Sequence, residues 1–256
     1  MFTIVVTKLR AAGCVYAEDE AELVFAAART TNDLMNMVEL RTTGLPIEYI
    51  IGWAEFCGQR IAVDQGVFVP RHRTAFLVRQ ATALIRQRSI VLDLCCGSGA
   101  VGAVLASNLE QIELYAVDID PASVQCARRN LTTARGRVYE GDLYKPLPQK
   151  LLGCVNVIVA NAPYVPTKAI ELLPHEARNH EARIALDGGT DGLDLQRRIV
   201  AAAPLWLAPG GHLLVETSKR QTPQTVDIFT HYGLNVQVTR SDELDATVVI
   251  GTKSIT

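Results

Sequence analysis

The sequence lacks any apolar run long enough to cross a membrane and any cysteine pair at a metal-binding spacing. A membrane helix needs roughly 18 or more consecutive apolar residues, so we expect neither a membrane span nor a secreted protein. The cysteines form no CxxC pattern and include the adjacent pair Cys95 and Cys96, which favours reduced thiols in a cytoplasmic protein. His175 and His180 do not share a helical face, and no cysteine or carboxylate set accompanies them, so we expect no metal site.

A large excess of charge is also lacking, because the net charge is only −2. Proteins that bind nucleic acids usually carry a basic excess, and the short clusters at residues 71–73 and 128–129 are too small to replace it. The composition therefore favours a small molecule or a protein as the substrate. With 256 residues, of which 48% are apolar, the chain can form one large α/β domain with a small appendage.

The first part of the chain reads as a helical lead-in followed by a hairpin. Residues 1–45 are rich in Ala, Glu and Leu, and the apolar spacing predicts a helix within residues 18–38. Residues 45–70 predict a β-hairpin with Gly66 in its turn, and residues 74–86 predict an amphipathic helix. We therefore expect a small N-terminal region over residues 1–70 and a larger domain over residues 71–256.

The larger domain shows a regular alternation of strand and helix patterns. The predicted strands are residues 89–94, 113–117, 137–140, 155–160, 212–216, 235–240 and 246–251, and the predicted helices are residues 99–108, 121–131, 193–206 and 223–232. Such alternation predicts an α/β fold with a doubly wound, mostly parallel, Rossmann-like sheet of seven strands. The last two strands are joined by a link too short for a crossover helix, so they should form an antiparallel hairpin.

A glycine-rich turn ends the first strand of this domain, and acidic residues follow the first three strands. Residues 97–102 contain a G-x-G-x-x-G pattern, which in dinucleotide enzymes lies against a pyrophosphate while an acid such as Asp118 holds the ribose. Asp93 would repel a diphosphate but attract an ammonium group. Asp142 is placed either to accept a hydrogen bond from an adenine amino group or to cap a helix or turn. These acids favour S-adenosylmethionine, with a nicotinamide dinucleotide as the alternative.

The fourth strand ends in Asn161-Ala162-Pro163-Tyr164. Pro163 cannot continue a strand ladder, so the chain turns where ligands bind in open α/β sheets. The Asn161 amide offers one acceptor and two donors, which suits a planar nitrogen-bearing group, and Tyr164 can lie against the face of that group. The alternative is a plain structural turn with Tyr164 in the core.

These motifs resemble those of the release factor glutamine methyltransferases, which are class I enzymes that use S-adenosylmethionine. The similarity runs from about Gly44 to the end of the chain. The segments that carry it are residues 46–52, 55–56, 69–71, 93–100, 117–118, 142, 161–164, 185–193 and 209–211. The resemblance implies a class I methyltransferase fold and a protein substrate, the peptide chain release factor, methylated on a glutamine amide.

The resemblance implies a cofactor site and an acceptor site. Asp93 is added to the cofactor site because its carboxylate would attract an ammonium group. The cofactor site would comprise Asp93, Cys95, Cys96, Gly97, Ser98, Gly99, Asp118, Asp142, Leu143 and Asn161. The acceptor site would comprise Asn161, Ala162, Pro163 and Tyr164, with Asn161 and Tyr164 as the catalytic residues. The chain departs from the family at Ala162 instead of the first proline, at Cys95 instead of a glycine, at Leu143 where an aromatic is common, and in a shorter helical lead-in. These departures indicate a divergent paralogue.

The predicted reaction is an in-line displacement in which an acceptor nitrogen attacks the methyl group of the sulfonium. Asn161 and the carbonyl of Ala162 would each accept an N–H of the acceptor, and most of the rate would come from positioning. One alternative is methylation of an adenine amino nitrogen in DNA or RNA, with the flipped base stacked on Tyr164. Others are methylation of a small molecule, and cofactor binding without catalysis.

Overall fold

Three N-terminal helices form a small bundle with an apolar core of its own. The computed structural model describes residues 1–109 and 111–255. The helices are α1 (Phe2–Ala11), α2 (Ala17–Ala27) and α3 (Thr31–Thr42). Their buried contacts include Val5, Leu9, Ala21, Val24, Leu34 and Val38.

The predicted helix within residues 18–38 is wrong as a single element, because the chain breaks between α2 and α3. Ala28 takes an extended conformation, with φ −69° and ψ 135°. Thr30 then caps α3: its side chain accepts from the Asp33 N–H at 3.1 Å, and Asp33 accepts from the Thr30 N–H at 3.1 Å. This capping box starts a new helix at a place where the apolar spacing alone runs on.

The hairpin follows a short helix, α4 (Ile47–Ile51), and pairs β1 (Trp53–Phe56) with β2 (Gln59–Ala62) in antiparallel register. Its turn is Cys57-Gly58, with φ 51° and 78°. The prediction that Gly66 lies in this turn is wrong. Gly66 instead lies in a separate turn, closed by the Val67 N–H donating to the Asp64 carbonyl at 3.1 Å. Apolar strand-like runs flank Gly66 as well as Cys57-Gly58, so apolar spacing alone does not distinguish the two turns.

The hairpin packs on the larger domain. Phe56 and Ile61 belong to the core cluster that the sheet shares with its first helices. The Ala62 N–H also donates to Asn130 Oδ1 at 3.0 Å, and Asn130 Nδ2 donates back to the Ala62 carbonyl at 2.8 Å. This reciprocal pair ties β2 to the sheet domain.

The larger domain is built on a seven-stranded sheet. Its elements are α5 (Ala75–Leu84), β3 (Ile90–Leu94), α6 (Ala100–Asn108), β4 (Glu113–Asp118), α7 (Pro121–Asn130), β5 (Arg137–Glu140), β6 (Val155–Ala160), α8 (His175–His180), α9 (Asp194–Trp206), β7 (Leu207–Thr217), α10 (Thr222–His231), β8 (Asn235–Ser241) and β9 (Ala246–Thr252). The strand order is β5-β4-β3-β6-β7-β9-β8, and β9 is antiparallel to both of its neighbours. The predicted doubly wound sheet with a C-terminal antiparallel hairpin is confirmed.

Helices cover both faces of this sheet. One apolar cluster joins α5, α6 and α7 to one face, and a second joins α9 and α10 to the other. The central strands therefore read as continuous apolar runs, because both of their faces are buried. None of the helices in the described part of the chain combines the length and apolar character of a membrane span.

The strand order places a crevice at the carboxyl ends of the central strands β3 and β6. The chain runs outward from β3 to β4 and β5, then returns to β6 on the other side of β3. Connections on opposite faces separate at this point, and ligands of open α/β sheets bind beside it, at the carboxyl ends of the strands.

Candidate functional site

A cavity of about 540 Å³ opens at the carboxyl ends of β3, β4 and β6. Its volume lies in the range of roughly 300–1,000 Å³ that is usual for small-molecule sites. The turn after β3 lines one side of the cavity, and the turn after β6 lines another. The apolar part of the wall includes Phe56, Phe68, Leu173, Pro174, Ala177, Ile184, Leu186 and Leu195.

The glycine-rich turn takes a left-handed backbone at three positions. Cys95, Gly97 and Gly99 have φ values of 55°, 54° and 77°. Cys95, Cys96, Gly97 and Ser98 line the cavity, whereas Gly99 caps α6 and lies against α7. A Cβ atom at Gly99 would be 3.1 Å from Ala127 Cβ, so the glycine permits α6 and α7 to approach closely.

Asp118 lines the cavity beside this turn. Its Oδ2 accepts from the Gly97 N–H at 2.8 Å, and its Oδ1 accepts from the Asp120 N–H at 3.0 Å. Burial raises the pKa of Asp118, while these two backbone donors oppose the rise. Each oxygen keeps a second lone pair, so the carboxylate can hold the turn and still accept from a ligand hydroxyl.

Asp93 is the most deeply buried acid of the cavity, with 2% of its surface exposed. Its Oδ2 accepts from the Gly102 N–H in the first turn of α6 at 3.0 Å. Burial raises the pKa of Asp93 to about 7; the Gly102 hydrogen bond opposes this rise and the Asp118 charge adds to it. A cationic ligand group beside Asp93 would favour its charged form.

Asp142 is placed differently from the prediction, because its carboxylate does not line the cavity. Its two oxygens accept from Arg198 Nη2 at 2.7 and 2.6 Å, and Oδ2 also pairs with Lys145 Nζ at 2.8 Å. Hydrogen bonds from Lys145 and then Arg198 lower its pKa. The neighbouring Leu143 does line the cavity, buried and left-handed with φ 53°. At this strand end an apolar side chain, rather than the acid, faces the cavity.

All four residues of the turn after β6 line the cavity. Asn161 is half-buried, and its Nδ2 donates to Thr74 Oγ1 at 3.1 Å. Tyr164 donates its hydroxyl to Glu216 Oε1 at 3.4 Å, and its backbone carbonyl accepts from Gln221 Nε2 at 2.9 Å. Burial and then the Glu216 charge raise the pKa of Tyr164 to about 12, so its hydroxyl is neutral at physiological pH.

Comparison with known proteins identifies the family to which this chain belongs. Residues 59–190 match the family described as the methyltransferase small domain. A release factor glutamine methyltransferase from Geobacter sulfurreducens is 37% identical over 217 residues, which are 84% of this chain and 75% of that protein. The chain belongs to the release factor glutamine methyltransferase family. The resemblance noted from the sequence motifs is confirmed.

Other relatives agree on methyl transfer. The release factor glutamine methyltransferase of Mycolicibacterium smegmatis is 36% identical over 82% of this chain and 74% of its own. The 4-amino-L-phenylalanine/4-methylamino-L-phenylalanine methyltransferase of Streptomyces pristinaespiralis is 34% identical over 77% of this chain and 69% of its own. A crystal structure of a methyltransferase from Pyrococcus furiosus shares the fold with a TM-score of 0.59 at 17% identity, covering 78% of this chain and 91% of that one.

Two polar residues of this methyltransferase site were missed by sequence reasoning. Thr74 precedes α5, and Glu216 lies near the end of β7; their exposed fractions are 3% and 2%. Both contact the turn after β6. A signal was present for Glu216, because an acid that ends a buried apolar strand is also what marks Asp93 and Asp118.

An ion pair between the half-buried Arg71 and the buried Glu181 forms another part of the cavity wall. Arg71 Nη2 donates to both oxygens of Glu181 at 2.7 and 2.6 Å, and Glu181 Oε1 also accepts from the Val69 N–H at 3.2 Å. Arg71 lies over the Phe68 ring, 4.7 Å from its centroid. The pair fixes the segment before α5 against the segment that follows α8.

The N-terminal helices of the methyltransferase reach this wall through Arg41. Arg41 is 6% exposed and pairs with Glu20 at 2.6 Å and with Glu176 of α8 at 2.6 Å. Glu176 lines the cavity. A cation bound by two carboxylates therefore connects the bundle to the helix that covers the site.

Proposed function

We propose that this methyltransferase uses S-adenosylmethionine to methylate the side-chain amide nitrogen of a glutamine in a protein of the peptide chain release factor type. The observation that carries the proposal is that Asn161 and its turn line the same cavity as Asp93, Asp118 and the glycine-rich turn. The names of the relatives from Geobacter sulfurreducens and Mycolicibacterium smegmatis support the choice of acceptor.

The polar groups of the cavity fit S-adenosylmethionine, which supplies a methyl group on a positively charged sulfur when bound. Asp93 would face its ammonium group, since a buried carboxylate gains most from a cationic neighbour. Asp118 would accept from its ribose hydroxyls, with each charge-assisted hydrogen bond contributing about 1.5–3 kcal/mol. Leu143 supplies an apolar contact for the adenine ring. Cys95 to Ser98 would bring their backbone close to the ligand.

The acceptor would lie against Asn161-Ala162-Pro163-Tyr164. An amide nitrogen is a poor nucleophile because its lone pair is delocalised into the carbonyl group. Asn161 Oδ1 and the Ala162 carbonyl would each accept one N–H, which aims the lone pair at the methyl group and favours a tetrahedral nitrogen. Tyr164 would lie against the plane of the amide, and its neutral hydroxyl is not available as a base.

The residues around the cavity would accelerate the reaction by positioning. A new N–C bond forms as the S–C bond breaks, and the proton leaves the nitrogen to water afterwards, so the chain need not supply a strong base. Holding two reactants in line can contribute about 7–11 kcal/mol. Phe68, Leu173 and Ile184 give the acceptor side of the cavity an apolar wall.

The decisive test is Asn161→Ala in a transfer assay with a radiolabelled methyl group and release factor as the acceptor. We expect the rate to fall by at least about 100-fold, as for loss of one hydrogen bond that stabilises the transition state, with cofactor affinity changed by no more than a few fold. Mass spectrometry should place the methyl group on a glutamine. Equal losses of transfer and cofactor affinity would contradict the assigned role.

A matched control lies on the same strand. Asn156 Oδ1 accepts from the Ile90 N–H at 2.8 Å. Both residues lie at the amino ends of their strands, whereas the cavity lies at the carboxyl ends. Asn156→Ala should destabilise the fold by about 1–3 kcal/mol by leaving that N–H unpaired, yet keep methyl transfer. The pair of variants separates loss of an acceptor contact from damage to β6.

A small amine is the second candidate acceptor. It is favoured by the relative from Streptomyces pristinaespiralis, whose name gives 4-amino-L-phenylalanine as a substrate. The apolar wall of the cavity is compatible with an aromatic ring. Faster transfer to an arylamine than to release factor, measured at equal concentrations, would reverse the order of the two candidates.

A further inference from the structure

Glu216 and Asn161 lie side by side at the carboxyl ends of neighbouring strands. Ala160, the last residue of β6, pairs with Val215 of β7. Asn161, which follows β6, therefore lies beside Glu216 of β7. Alternation along the strands places both side chains on the sheet face that packs against α5. Thr74, the residue before α5, contacts Asn161 from that side.

The Glu216 carboxylate can accept more hydrogen bonds than Tyr164 provides. Oε1 accepts from the Tyr164 hydroxyl, and Oε2 is buried with no hydrogen-bond partner within the described ranges. Burial raises the pKa of Glu216, while the nearby Thr74 hydroxyl and then the Arg73 charge oppose that rise. The Thr74 hydroxyl therefore faces a carboxylate that needs a donor.

This arrangement decides which way the Asn161 amide points. A threonine hydroxyl has one proton, and when that proton is directed to a carboxylate the oxygen can only accept. Thr74 Oγ1 then binds the Nδ2 group of Asn161, at 3.1 Å, and not its Oδ1. The carbonyl oxygen of the amide is left for the cavity.

We propose that Glu216, acting through Thr74, is a positioning residue that holds the Asn161 amide with its oxygen toward the acceptor nitrogen. The proposal rests on the proposed role of Asn161 as the group that holds the acceptor. Without Glu216, the Thr74 proton is free to bind Asn161 Oδ1. The amide then turns by about 180° and presents its own N–H groups to the acceptor. Two sets of donors face each other in that orientation, and the acceptor is no longer held.

Steady-state kinetics test whether Glu216 acts on Asn161 through Thr74. Glu216→Gln replaces an obligate acceptor by a group that can also donate to Thr74, and Thr74→Val removes the hydroxyl. Each should lower kcat at least tenfold, with the Kd for S-adenosylhomocysteine changed by less than twofold. Thr74→Ser should recover most of the kcat lost in Thr74→Val. The double variant should be no slower than the slower single variant, because both act through one amide.

Thr217 offers a matched control. Thr217 follows Glu216 on β7, and its buried hydroxyl is hydrogen-bonded to the hydroxyl of Thr225 at 3.2 Å. Thr217→Val removes a buried hydroxyl from the same strand and should leave kcat within twofold. Unchanged kcat in Glu216→Gln, or losses that multiply in the double variant, would overturn the proposal.

Neutron diffraction from crystals of the deuterated, full-length protein tests the proposal without an acceptor. We expect the Asn161 deuterons to point at Thr74 Oγ1 and the Thr74 deuteron to point at Glu216. An Asn161 oxygen that faces Thr74 would overturn the inference. If the wild-type protein transfers no methyl group to release factor, the proposed function fails, and the neutron result still decides the orientation.

Discussion

At the scale of single residues, the cavity is defined by buried acids whose side chains are only partly satisfied by the protein. Asp93 accepts from one backbone N–H, and the nearby charge of Asp118 adds to the effect of its burial. Leaving such a group charged costs free energy unless a cation approaches. Asp142, in contrast, is saturated by Arg198 and Lys145 and has no need of a ligand. Burial and hydrogen-bond partners therefore distinguish Asp93, which can hold a ligand, from Asp142, which holds Arg198, although both lie at strand ends.

The pKa of Asp93 predicts how binding depends on pH. If Asp93 holds the ammonium group of the ligand, the affinity for S-adenosylhomocysteine should rise as pH increases through about 7, where Asp93 loses its proton. Between pH 7.5 and 5.5 we expect a loss of about tenfold or more, since almost every Asp93 is protonated at the lower value. Titration calorimetry measures this change.

Asp93→Asn supplies the control, because it should bind weakly with little dependence on pH in that range.

The free energy of unfolding of the ligand-free protein should change in the opposite direction, falling as pH rises. Because the folded-state pKa is raised, the contribution of Asp93 is fully present below its unfolded pKa of about 3.9 and is lost as pH rises through about 7. A pH dependence of binding that is identical in Asp93→Asn would exclude this role for Asp93.

At the scale of elements, the turn after β3 shows that a glycine pattern combines two separate requirements. Gly97 and Gly99 both have left-handed backbones, with φ 54° and 77°. Only Gly99 is also crowded, since a Cβ atom there would lie 3.1 Å from Ala127 Cβ and 3.2 Å from Ala127 Cα. At Gly97 a Cβ atom would meet nothing within 4 Å.

These two glycines predict a graded effect on stability. Gly97→Ala should cost about 1–2 kcal/mol from the left-handed backbone alone. Gly99→Ala should cost more, because α6 must also move away from α7. Urea unfolding at equal protein concentration gives both values. Equal losses would show that the contact between α6 and α7 does not restrict position 99.

At the scale of the whole molecule, the cavity draws its walls from distant parts of the chain. The glycine-rich turn, the Asn161 turn and the segment before α5 meet only when the sheet is complete, and Arg41 adds the N-terminal helices through Glu176. A ligand that binds this assembled site and not the unfolded chain must therefore stabilise the entire fold.

We expect S-adenosylhomocysteine at 100 times its Kd to stabilise the protein by about 2.7 kcal/mol. For a chain of this size this corresponds to a rise in Tm of about 5–10 °C. Asp118→Ala should remove most of the shift, whereas Asp142→Ala should keep it, because the Asp142 carboxylate pairs with Arg198 outside the cavity. Loss of the shift in Asp142→Ala alone would contradict the arrangement described for these acids.

Local patterns in the sequence were enough to predict the seven strands of the large sheet, the five helices α5, α6, α7, α9 and α10, and the family. They did not predict α4, which lies where the pattern indicated the first arm of the hairpin. Apolar runs such as residues 155–160 bury both faces of a strand. Gly99 permits the left-handed backbone of its turn, with φ 77°, whereas Pro163 ends a strand because it has no N–H to donate. The break between α2 and α3 was missed because a capping box depends on a few side-chain hydrogen bonds, which periodicity does not register.

The sequence by itself determined the order of strands and helices, the position of the glycine-rich turn and the placement of Asp93, Asp118 and Asn161 at strand ends. Only the tertiary structure decided that Asp142 pairs with Arg198, that Leu143 faces the cavity, and that Thr74 and Glu216 contact the Asn161 turn. The physical reason is that backbone preference acts over a few neighbouring residues. Side-chain partners 56, 87 and 52 positions apart are chosen by packing.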